Sequence, residues 1–88
     1  MDRSCPVDVI SVCSSEGEIR PLRLRMVGED RELRRLDIRE IVSVKEVPYV
    51  GAEAYVFLCK AAFEGRERLL ELKYSIRGHT WWILRFLH

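Results

Sequence analysis

The chain has 88 residues, 48% of them hydrophobic and 33% charged, which gives one domain with a modest core and excludes a disordered segment. The formal net charge of +1 argues against a protein whose binding is driven mainly by counterion release from nucleic acid. No run approaches the roughly 20 apolar residues of a membrane helix. The opening MDRSCPVDVISV lacks the basic and apolar regions of a signal peptide, so a cytoplasmic location with no membrane partner is expected.

In chain order, residues 1–6 read as a flexible tail to a single domain spanning 1–88. Val7 to Cys13 is rich in β-branched residues and reads as a first strand. Its apolar pattern slips between Val7, Val9 and Ile10, Val12, which a β-bulge near Val9 would absorb. Ser14 to Gly17 is a turn, with Gly17 supplying a positive φ. Glu18 to Val27 alternates, Leu22, Leu24 and Met26 facing one way and Arg23 and Arg25 the other, the period of a half-buried strand. Pro21 has no amide hydrogen and belongs at a strand start or edge. Gly28 to Asp30 closes the next hairpin.

Glu32 to Ile41 is ambiguous. Asp30 is a possible helix cap, but no long apolar stripe follows it. The preferred reading is a short strand at 32–36, then a tight turn at 37–40 anchored by Ile38 and Ile41. A strand from Ile41 to Val47 follows, with Val42 and Val44 inward. After a break at Pro48 to Gly51, Ala54 to Phe63 is apolar on both faces: Tyr55, Phe57, Cys59 and Phe63 against Val56, Leu58 and Ala62. A helix over 52–68 is the rival, disfavoured by the Tyr-Val-Phe run and by Gly65 at a hairpin position. Leu69 to Ile76 and Thr80 to Leu87 complete the set. The last strand is read with Trp82, Leu84 and Phe86 opposite Trp81, Ile83 and Leu87. Six or seven short antiparallel strands predict an all-β fold, a small SH3-like barrel or compact sandwich.

Cys5, Cys13 and Cys59 are odd in number and unrelated in spacing, unlike a disulfide framework or a metal site. Cys13 and Cys59 read as small buried hydrophobes and Cys5 as exposed. His79, in a turn, and His88 stand at no spacing that recruits a nucleophile. The expectation is a non-enzymatic protein with no cofactor and no metal.

The order of Gly17, Ile19, Pro21-Leu22-Arg23-x-Arg25, Ile38-x-x-Ile41, Leu72-x-Tyr74 and Trp82 resembles small bacterial domains of unknown function with SH3-like barrels. It is similar in plan to the YolD-like barrels. The resemblance implies the fold and a bacterial origin; it transfers no catalytic residue.

Two surfaces are candidate sites. Neighbours on a strand point to opposite faces, so Trp81 and Trp82 cannot readily share one core. The surplus residues Trp81, Ile83 and Leu87, with Val56 and Leu58, form a candidate interface for self-association or a protein partner. The alternative is nucleic acid, bound on an arginine-rich strand face by Arg23, Arg25, Arg34, Arg35 and Lys73. The chain has twelve Arg against three Lys, and seven of those arginines lie between Gly17 and Ile41. Their acidic neighbours can pair with many of them.

Overall fold

Short alternating runs separated by turn residues become six antiparallel strands in the computed structural model, which describes residues 5–28, 30–48 and 53–87. They are β1 (Cys5–Cys13), β2 (Ile19–Val27), β3 (Leu33–Val47), β4 (Ala54–Phe63), β5 (Arg66–Ser75) and β6 (Thr80–Phe86). Each pairs with the next, and β1 returns to β6, so the sheet closes into a barrel. The choice between barrel and sandwich is thereby settled, and no helix occurs among the described residues. The expected tail falls outside the described residues for 1–4, while Cys5 and Pro6 belong to β1 and pair with Ile83 and Trp82. Most of the break expected after Pro48 is also outside them.

The hairpins follow their turn chemistry. Between β4 and β5 only Glu64 and Gly65 intervene, both at positive φ (51° and 76°), the backbone a two-residue turn needs to match strand twist. At the β1–β2 turn Gly17 has φ 89°, and the Ser14 hydroxyl accepts from the Glu16 and Glu18 amides. Asp30 accepts from the Glu32 amide at 3.1 Å, a side-chain-capped turn and not a helix start.

Pairing is uneven around the ring. β4 and β5 are in register along their whole length, from Ala54 opposite Ser75 to Phe63 opposite Arg66. β2 meets β3 only from Arg23 opposite Asp37 to Val27 opposite Leu33; beyond that, β3 pairs with β4 alone. Pro21, which has no N–H to donate, falls in the stretch of β2 that has no β3 partner.

β3 corrects the expected turn at 37–40. It is one strand with register shifts between Ile38 and Glu40 and between Ile41 and Ser43, leaving Arg39 and Val42 as extra residues. At roughly 3.3 Å per residue a straight strand of 15 residues would outrun the longest dimension of 36 Å, so β3 must bend, and bulges bend strands. Two further shifts make Leu22 and Leu84 extra residues. The bulge expected in the first strand near Val9 is thus in its partner, at Leu22. Leu22 is thrown outward and Pro21 takes the buried place.

The core is wholly apolar: Leu24, Leu36, Phe57, Cys59, Ala61, Leu70, Leu72, Trp81 and Ile83. Trp81 is 7% exposed, its ring centroid 4.7 Å from Tyr74 and 5.7 Å from Phe57. The phase expected for the last strand is therefore inverted at its start. Trp81 and Ile83 point in, opposite Tyr74 and Leu72, while Trp82 stands opposite outward-facing Lys73. The bulge at Leu84 then brings Phe86 back in beside Leu70. The expected faces of β4 hold, as do those of Leu70, Leu72 and Tyr74 on β5. Ile76 lies in the following turn.

The inverted phase gives a test. Trp81→Ala leaves a cavity and should cost about 3–5 kcal/mol in a urea titration, whereas Trp82→Ala should cost about 1 kcal/mol or less. Equal losses would contradict the assignment of faces.

Candidate functional site

Of the expected interface residues, Trp81 and Ile83 are core, because the β5–β6 register turns them inward. Val56 and Leu58 do face outward from β4, and Leu87 follows β6 with its amide donating to the Leu69 carbonyl at 2.7 Å, but all three are half-buried. Lys73 lies between Val56 and Trp82 in register, and its ammonium sits 5.7 Å from the Trp82 ring centroid. The ammonium over that ring is a cation–π contact.

The exposed apolar surface is elsewhere. Among the described residues, the large hydrophobic side chains that stand 40–63% exposed are Ile10 and Val12 on β1, Leu22 and Val27 on β2, and Leu33, Val42 and Val44 on β3. None is on β4, β5 or β6. Two features of the backbone explain part of this wall. Bulging displaces Leu22 and Val42, and β3 runs past the end of its pairing with β2. Val44 stands on the inner side, opposite Phe57, yet nothing from β2 covers it; Val42 and Val44 are not the core residues their alternation suggested.

A cleft of about 350 Å³ lies where β2 leaves β3, lined by Ile19 and Arg20 on one side and Ile41, Val44 and Phe57 on the other. A larger one of about 730 Å³ follows β1, with Val27 and Leu33 at one border and Trp82 at the other. The signal that would have found this wall is the arithmetic of strand lengths. A strand from Leu33 to Val47 is much longer than the β2 that must cover it.

The expected cationic face is divided. Arg23 and Arg25 point out from β2 and meet acids directly opposite on neighbouring strands, Asp37 at 2.7 Å and Asp8 at 3.0 Å. Arg34 is held by Asp30 at 2.6 Å and by Glu64. Arg35 faces outward beside Arg25. Lys73 is on β5, three strands from β2 in either direction round the ring, and so on the far side of the barrel. The five cations do not share one surface, and those on β2 lie in ion pairs.

The nucleophilic and titratable groups are likewise apart. Cys59 is buried, whereas Cys13 is exposed at the end of β1, where the hairpin extends past the core, in contrast to the burial expected for it. Cys5 is intermediate. His79, in the turn after β5, shares a hydrogen bond of 3.0 Å with the hydroxyl of Tyr74 on β5. Among the described residues, no three His, Cys, Asp or Glu side chains gather as a metal set.

Burial pushes the Cys59 thiol from 9.0 up to about 12, so at neutral pH it is a protonated apolar filler. Unfolding releases it to ionise at its ordinary value. Its contribution to stability is thus complete below pH 9 and is lost as pH rises from 9 towards about 12. The stability difference between the wild type and Cys59→Ala should be flat below that window and shrink across it in denaturant titrations. At pH 8, iodoacetamide should label Cys13 in the native protein and Cys59 only on unfolding. The chain matches no protein-family model, no curated protein and no solved structure with which it was compared.

Proposed function

We propose that this barrel is a non-catalytic interaction module that acts through self-association or a protein partner. The observation that carries the reading is the apolar wall of β1, β2 and β3, with side chains from Ile10 to Val44 standing in water while β4, β5 and β6 keep theirs covered. Exposed apolar side chains that border clefts, as Ile10, Val12, Val27, Leu33 and Val44 do, are what interfaces use. The state of the cysteines supports a binding role over a catalytic one: Cys59 is held protonated in the core, and Cys13 stands at the end of the β1–β2 hairpin while His79 lies in the β5–β6 turn. A cytoplasmic setting, a bacterial origin and an SH3-like, YolD-like plan belong to the same reading. Nucleic acid is the weaker alternative, because Arg23 and Arg25 already have carboxylate partners and Lys73 lies across the barrel.

Sedimentation equilibrium across a wide concentration range tests the proposal. The wild type is expected to exceed its 10.4 kDa monomer mass as concentration rises. Leu33→Lys with Val42→Lys should weaken association by roughly tenfold or more while leaving the circular dichroism spectrum unchanged. Undiminished association in that variant would reject the wall as the interface.

A further inference from the structure

The unpartnered margin of β3 has a more specific complement than a generic apolar patch. From Arg39 to Val47 the strand is paired on one side only, with β4. Its other side offers backbone N–H and C=O groups along the segment REIVSVKEV, which is rich in β-branched residues. Such an edge recruits another strand. What decides which strand is the pattern of side chains along it.

An unbulged strand cannot pair with its own copy about a two-fold axis with Ile41 opposite Val44, since opposing residues must share a face and these two are an odd number of positions apart. Here the extra residue Val42 shifts the alternation by one. Ile41 stands opposite Cys59 and Val44 opposite Phe57, both on the inner side. Glu40 stands opposite Lys60 and Lys45 opposite Val56, both on the outer side. The bulge therefore makes the segment self-complementary. We infer that β3 pairs antiparallel with β3 of a second copy about a two-fold axis beside Val42 and Ser43. Ile41 then meets Val44 on the inner side, and Glu40 meets Lys45 on the outer side. Arg39 comes towards Glu46 at either end.

Each contact occurs twice by symmetry, and no like charges are opposed. The room beside the strand is the cleft bordered by Ile19 and Arg20, where β2 has already turned away. The Glu40 carboxylate is only loosely held within its own barrel, 3.8 Å from the Lys60 ammonium, and both side chains are substantially exposed. It is therefore available to a second cation.

This inference rests on the self-association form of the proposed function and names its geometry. The test is a charge swap read by sedimentation equilibrium on the full chain. Lys45→Glu opposes Glu40 to a glutamate twice per dimer and should weaken the dimer by roughly tenfold or more. The double variant Glu40→Lys/Lys45→Glu restores opposite charges across the axis and should recover the wild-type dissociation constant. Lys45→Glu should keep the wild-type unfolding midpoint measured at monomeric concentration, whereas the double variant, which sets a lysine opposite Lys60 within each barrel, should lower it slightly. A wild type that associates while Lys45→Glu associates equally well, or a double variant that stays weak, overturns the pairing of β3 and leaves the interaction module standing. A wild type that is monomeric to high micromolar concentration overturns the pairing and self-association together.

Discussion

A closed ring of six strands has a single interior, and every strand must choose one face for it. Trp81 makes that choice for the rest. Its indole fills the space between Phe57 and Tyr74, and the register that places it there carries Leu72 and Ile83 inward with it. The opposite faces of β4, β5 and β6 are then left to Val56, Leu58, Trp82 and the long side chains that lie over them. Because side chains alternate, a shift of one residue would turn Trp82 in and Trp81 out, and would expose every partner in the row.

The sequence made the strands legible and their phases less so. Turn chemistry at Gly17 and Gly65 marked two hairpins, and the run from Tyr55 to Phe63 showed a strand apolar on both faces. Phase could not be read on β6 because both faces of TWWILRFL are apolar, so alternation within the strand carries no sign; only the opposing residues on β5 supply it. Bulges hid the rest. Leu22, Arg39, Val42 and Leu84 each break a period of two without ending a strand. A broken period inside a charged segment looks like a turn, which is why β3 reads as two strands from sequence. The exposed apolar residues were hidden in part by the same bulges, at Leu22 and Val42, and in part because β3 outruns its pairing with β2, which only the comparison of strand lengths reveals.

The arginines illustrate how register governs the meaning of charge. Arg23 and Arg25 sit directly across from Asp37 and Asp8, and such exposed pairs contribute little stability each, about 1 kcal/mol or less. Their larger effect is on specificity of pairing, since a slipped register would set arginine against arginine along a face that already has Arg25 beside Arg35. The acids and bases at the ends of the β3 margin work in the same way. They discourage indiscriminate strand addition, which a bare run of Ile41, Val42 and Val44 would invite.

The seam that closes the ring joins Cys5, Pro6 and Val7 to Ile83, Trp82 and Trp81, residues at opposite ends of the described chain. In chain-entropy terms it is the most distant strand pairing among the described residues, and it is secured by three registered pairs. The hairpin of β4 and β5 closes across two residues and needs no such search. Loop closure becomes costlier with length, by about 0.6 kcal/mol for each doubling, so local hairpins form ahead of the seam and ring closure falls late. Until then β6 keeps an open side, the one that β1 covers in the closed ring. The interval between synthesis of the first strand and arrival of the last is therefore when this chain is most exposed to pairing with strands that are not its own.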